Sequence, residues 1–156
     1  MPSERNLPQC GFSRIDIALL YHIWHDNRMS TPAIRPLIWV GSSLKDLRAF
    51  PEAVKDEMGY ALFEAQCGLK PLSAKPLKGF KGFSGASVLE IVSEYQTDTY
   101  RAVYTVKFGE RVYVLHAFQK KSKKGVATPQ AEINLVKARL KLAEELHEAW
   151  QREQEV

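Results

Sequence analysis

The chain has 156 residues, 45% of them hydrophobic and 26% charged, enough for one domain with a flank and able to bury a core. No apolar run approaches the roughly 18 residues needed to cross a bilayer. Ile15 to Trp24, interrupted by Asp16 and His22, lacks the small-residue cleavage site of a signal peptide. Cys10 and Cys67 make neither a disulfide framework nor a metal-ligand pair, so a reduced cytoplasmic setting is expected. The net charge of +4 is concentrated: residues 70–124 carry 11 Lys/Arg against 4 Asp/Glu, while both flanks are mildly acidic. A basic middle implies one positively charged face, which suits a phosphate-bearing partner.

Residues 1–35 read as an N-terminal extension, disordered or dispensable, with Pro2, Pro8 and Pro32 and one modest apolar stretch around Ile15 to His22. Met29, just before Ser30-Thr31-Pro32, is a plausible start for a compact domain, so removal of residues 2–28 is expected to leave folding intact. Pro36 to Gly41 reads as a short buried strand ended by glycine. Ser43 with Asp46 three residues later resembles a capping box opening a first helix. Pro51 breaks or restarts it, since proline lacks a backbone donor yet suits a first helical turn. A second helix then runs to about Cys67, with Val54, Met58, Ala61, Leu62 and Ala65 at core spacing and Gly68 as its stop.

Lys70 to Gly85 is rich in proline, glycine and lysine and reads as an exposed basic loop carrying Lys75, Lys78 and Lys81. Three strands follow, Ser87 to Tyr95, Thr99 to Lys107 and Arg111 to Gln119, rich in Val, Ile, Tyr and Thr. Their short connections imply antiparallel hairpins. A second basic run, Lys120-Lys121-Ser122-Lys123-Lys124, leaves the last strand. Thr128, as N-cap, and Pro129 open a final helix whose core face includes Ile133, Val136, Leu140, Ala143 and Leu146. Residues 36–150 thus form one α+β domain of order β-α-α-β-β-β-α, followed by a polar tail at 151–156.

The chemistry is narrowed by what is missing. There is no glycine-rich phosphate loop, no Ser/His/Asp order that stands out and no closely spaced Cys/His set, so no metal or other cofactor is called for. His22 and His25 lack further ligands nearby. Arg101 remains, flanked by Tyr100 and Tyr104, together with His116 and the lysine segments. Arginine binds phosphate bidentately and aromatic rings stack on unpaired bases. In the alternative arrangement, Tyr100 and Tyr104 belong to the core and Arg101 pairs with Glu90 on the neighbouring strand. The pattern leaves both open.

Three segments carry a resemblance: Lys75-Pro76-Leu77-Lys78-Gly79-Phe80, Thr99-Tyr100-Arg101-Ala102-Val103-Tyr104, and Leu115 through Gly125 running on to Ala127-Thr128-Pro129. In this order they resemble the RelE/ParE superfamily of toxins from type II toxin–antitoxin modules, nearest its phage-related, HigB-like branch, over about Leu37 to Trp150. The resemblance implies a small fold in which a twisted antiparallel sheet is flanked by helices. It implies a metal-independent mRNA endonuclease acting on the ribosome, neutralised by a helix-turn-helix antitoxin; a gyrase-poisoning toxin and an inactive phage remnant are the alternatives. Arg101, Lys120, Lys121 and His116 would be catalytic; Lys75, Lys78, Lys81, Lys123, Lys124 and Tyr100 would hold RNA. The chain departs from some relatives in having Leu89-Glu90-Ile91 where they carry lysines, and in lacking a tyrosine after Tyr113. The general base is left unassigned, with His147 a weaker candidate than His116.

Overall fold

A computed structural model describes residues 33–79, 87–120 and 128–155. Phe80 to Ala86, with Lys81, and residues 121–127, with Lys121, Lys123 and Lys124, lie outside the described residues, as does everything expected of residues 1–32. The order is β1 (Leu37–Trp39), α1 (Ser43–Arg48), α2 (Glu52–Gln66), β2 (Ala74–Pro76), β3 (Val88–Tyr95), β4 (Asp98–Thr105), β5 (Val112–Lys120) and α3 (Gln130–Gln154). The five strands form one mixed sheet in the order β1-β5-β4-β3-β2. The expectation of an α+β fold with three helices holds, and two features of the sheet correct it.

The first is β2. Its three residues lie inside the stretch expected to be loop and pair antiparallel with β3, Lys75 directly opposite Glu90. A proline tolerated on an edge strand hides such a segment from pattern reading. The second is β1, which pairs parallel with β5, Leu37 opposite Val112 and Trp39 opposite Val114. The sheet is therefore not wholly antiparallel. The 72 residues separating β1 from β5 in sequence leave no local trace of this pairing.

Each face of the sheet has its own core because the central strands are apolar on both sides. Leu89, Ile91, Tyr100, Ala102, Tyr104, Val112 and Val114 pack against Leu47 of α1 and Val54, Met58, Ala61, Leu62 and Ala65 of α2. Val88, Val103, Tyr113, Leu115 and Phe118 pack against Ile133, Val136, Leu140 and Ala143 of α3. Tyr100 and Tyr104 are thus core residues of the α1/α2 side, as the second arrangement had it. Burying Leu- and Val-sized side chains contributes about 1.5–3 kcal/mol each, which locks both helix layers to the sheet.

The β4–β5 register slips by one residue: Val103 opposes His116, yet Tyr104 opposes Val114. The extra residue, Leu115, forms a β-bulge. Strict alternation would send Leu115 and His116 to opposite faces; here Leu115 packs in the α3-side core and His116 bonds to α3 side chains.

Helix ends differ in detail from the sequence reading. The N-cap of α1 is Ser42, whose Oγ donates to the Asp46 carboxylate at 2.7 Å, while Ser43 is buried and donates to the Val114 carbonyl at 3.0 Å. Pro51 is the N-cap of α2 and Pro129 that of α3, which frees the Thr128 hydroxyl for another partner. The inward position expected for Leu146 belongs to His147, which stacks on Phe108 and bonds Tyr113 Oη through Nδ1 at 3.1 Å. Helical spacing from Ala143 permits either residue, and the aromatic floor selects the imidazole. The helix continues to Gln154, taking in most of the expected tail.

Candidate functional site

Four charged side chains cross the α3-side face of the sheet in a diagonal row, one from each of β2, β3, β4 and β5. Lys75 stands directly across from Glu90. Arg101 opposes Val92 and is therefore the diagonal neighbour of Glu90, and Lys120 opposes Thr99 and is the diagonal neighbour of Arg101. Diagonal pairs on one face lie roughly 7–8 Å apart at Cα, within reach of long side chains. The bulge is what brings Lys120 to this face. Counting alternately from Tyr113 and Leu115 would have put it on the other side.

Arg101 Nη1 donates to Glu90 Oε2 at 2.5 Å and lies 3.4 Å from Thr128 Oγ1. Lys75 Nζ stands 4.0 Å from the other Glu90 oxygen. The Glu90 side chain is 2% exposed and that of Arg101 13%, so the pair is desolvated and mutually dependent. The pairing uses only part of the guanidinium: Arg101 Nε is buried without a hydrogen-bond partner. Lys120 is buried too, and no described residue offers its ammonium a hydrogen bond or an ion pair. Burial, then the neighbouring Arg101, lower its pKa from the ordinary 10.5; Glu90 opposes the shift and Lys75 adds to it. The row therefore has three cationic groups, two of them of low exposure, and a single carboxylate that neutralises part of their charge.

His116 sits beside this row but its ring is occupied. Arg139 Nη1 lies 3.0 Å from His116 Nδ1. Arginine has only donors, so Nδ1 must be the accepting nitrogen and the proton must sit on Nε2, which donates to Glu132. The lone pair a general base needs is already used. Arg139 also donates to the Leu115 carbonyl at 3.0 Å and to Ser42 Oγ at 2.7 Å, tying α3 to β5 and to the start of α1. Gly41 makes room for it: its φ of +58° turns the chain out of β1, and an added Cβ would stand 3.0 Å from Arg139 Nε.

The other expected residues separate into groups. Tyr100 is buried edge-to-face against Phe50, on the opposite side of the sheet from Arg101. Lys75 and Lys78 are exposed at the β2 edge, Lys78 in the turn closed by Gly79. His147 is near the far end of α3, among Phe108, Tyr113 and Trp150. Thr128 and Arg139 join the site although sequence reasoning gave them no part in it, and Glu90 takes the place the alternative arrangement gave it, as the partner of Arg101. Glu90 left one signal, a lone carboxylate inside Val88-Leu89-Glu90-Ile91-Val92. Among the described residues no group of three or more His, Cys, Asp or Glu could hold a metal ion, and no helix is long and apolar enough to cross a membrane.

The order of these parts, a lysine-bearing edge strand, a Tyr-Arg strand and a strand ending in lysine before the last helix, falls within residues 45–141. That stretch matches the family described as phage derived protein Gp49-like (DUF891). The chain belongs to this family. The Gp49-like family is a phage-derived, RelE-like toxin family associated with toxin–antitoxin modules. The match begins in α1 and ends within α3, so it takes in β2 to β5 and the whole charged row. No curated protein and no solved structure matches the chain.

Proposed function

We propose that this Gp49-like protein is the toxin of a type II toxin–antitoxin module, of the HigB-like kind and with the RelE-type arrangement of sheet and helices. It acts as a ribosome-dependent mRNA endonuclease and is neutralised by a helix-turn-helix antitoxin. One observation carries the reading: Arg101 holds a buried, unpartnered Nε beside Lys120, whose ammonium has no described acceptor. A buried guanidinium donor beside a lysine on the same face forms a seat for an oxyanion, since charge-assisted hydrogen bonds gain strength where water is excluded.

In RNA cleavage the 2′-hydroxyl loses its proton and attacks the adjacent phosphorus. The bond to the 5′-oxygen then breaks, and that oxygen takes up a proton, leaving a 2′,3′-cyclic phosphate and a 5′-hydroxyl. Arg101 and Lys120 hold the phosphate and stabilise the charge that grows on its oxygens. Lys120, with its proton loosened by burial and by Arg101, donates to the leaving oxygen. Glu90 is the one carboxylate of the row. Once phosphate competes for Arg101, it becomes the group placed to accept the 2′-hydroxyl proton. His116 contributes by holding α3 rather than by moving a proton. Lys75 and Lys78, with the lysines of residues 81 and 121–124, supply sequence-independent attraction to RNA backbone, which falls steeply with salt.

The test is to map mRNA ends after brief induction, beside a supercoiling assay. Cuts confined to translated regions, lost in Arg101→Ala, are expected. Intact messages with inhibited gyrase would overturn the reading in favour of a ParE-like poison. Intact messages with active gyrase would mark the chain as an inactive remnant.

A further inference from the structure

The outer face of α3 carries a second apolar stripe, opposite the one buried in the core. Leu135, Leu142 and Leu146 are exposed at 37%, 41% and 42%, with the exposed Ala138 between the first two and the half-buried Ala149 beyond the last. The spacings of three and four residues keep all five on one side of the helix. From Leu135 to Ala149 the stripe runs about 21 Å, at 1.5 Å per residue. Single exposed leucines need no explanation, but a continuous line of them on a helix does.

Along one flank of the stripe Lys141 is followed by Glu145 and Glu148, with Arg152 one turn further on, while Glu132 in the first turn bonds His116. Lys141, Glu145 and Glu148 flank the stripe on one side, and among the described residues none of the three has an ion-pair partner. Reversed against a second copy, that flank sets Lys141 near Glu148, whereas a parallel alignment sets each charge against its own kind.

We infer that the outer stripe of α3 is a homodimer interface in which two copies pack their last helices antiparallel. An isologous contact of this kind meets the symmetry of a twofold pair. Centred between Leu142 and Leu146, it sets Leu142 of each copy against Leu146 of the other. Ala138 then falls near Ala149, and Lys141 comes alongside Glu148 at both ends. The stripe points away from the core face of α3, so Arg101 and Lys120 stay uncovered by the second copy.

The experiment is sedimentation of the purified full chain across a wide concentration range, with circular dichroism to verify folding. A reversible monomer–dimer equilibrium is expected. Leu142→Glu and Leu146→Glu should each weaken it by at least about tenfold, since the symmetry places every substitution in the contact twice. Lys141→Glu should weaken it, and adding Glu148→Lys should restore it. A chain that is monomeric at every concentration overturns the inference and leaves the stripe to another protein. A dimer indifferent to both leucine substitutions overturns it as well, by placing the contact elsewhere, and failure of the charge swap to restore the dimer overturns the antiparallel arrangement.

Discussion

Arg101 on β4 donates to Glu90 on β3 at 2.5 Å, a diagonal contact between two side chains largely withdrawn from solvent. It joins the folding of the sheet to the charge of the site, so the two must be separated by experiment. Arg101→Ala leaves a buried carboxylate unpaired and should destabilise the chain by about 3–5 kcal/mol. Replacing the pair together, Glu90→Leu with Arg101→Met, should return most of that stability. Urea denaturation measures both stability effects, and growth arrest on induction reads the chemistry. Both variants should fail to arrest growth; arrest by the double variant would remove Arg101 from the chemistry.

The lowered pKa of Lys120 fixes the direction of a pH effect. The unfolded chain keeps this proton up to the ordinary 10.5, whereas the folded chain gives it up earlier. Over that interval the unfolded state binds more protons, so stability attributable to Lys120 rises with pH. Lys120→Met should flatten the curve of urea midpoint against pH on the alkaline side and raise stability at neutral pH. It should also abolish cleavage, with Lys120→Arg retaining phosphate binding better than turnover. A Met variant with the same pH profile as the parent would contradict the burial of the charge.

Val54, Met58 and Ala61, or Ile133, Val136 and Leu140, declared their helix faces because the periodic pattern is local and the core accepted it. Arg101 and Lys120 stood out through residue type and place on their strands. The choice between stacking and core roles for Tyr100 and Tyr104 could not be made, because it depends on which face of β4 meets α2. Arg139 was invisible for a similar reason: Leu115, His116 and Ser42, which it binds, are 24, 23 and 97 residues away. The strand at Ala74 to Pro76 escaped because edge strands need little β propensity when their partner supplies the ladder.

Tyr104 offers a test outside the site. Its hydroxyl is buried without a partner, and burial, helped by the charge of Glu64, pushes its pKa up to about 12. A raised folded value favours the protonated phenol, so the associated stability is whole below pH 10 and lost as pH climbs toward 12. Tyr104→Phe removes an unsatisfied group and should hold or raise stability by up to about 1 kcal/mol at neutral pH. It should also lessen the alkaline loss between those limits. Thermal melts from pH 8 to 12 would show it, and a variant weakened at pH 7 would mean the hydroxyl finds a partner in solution.

The occupied ring of His116 predicts a division between stability and catalysis. His116→Asn should cost about 1–2 kcal/mol through the lost bonds to Glu132 and Arg139. Cleavage per folded molecule should stay within about threefold of the parent, since less than 1 kcal/mol of barrier is at stake. Arg139→Met should behave alike and cost more, because three acceptors lose one donor group. A hundredfold loss of turnover in a fully stable His116→Asn would identify a proton-transfer role.

The single residue added at Leu115 makes β5 into two strands in series, with a phase break between them. Ahead of the break, Val112 and Val114 face the α1/α2 layer and Tyr113 and Leu115 face α3; after it, Ala117 faces the first layer and His116, Phe118 and Lys120 the second. Apolar alternation in the first segment places no demand on the second. A change of phase at this one position therefore decides whether the last residue of β5 meets Arg101 or the opposite layer, so a deletion of Leu115 would turn Lys120 away from the row.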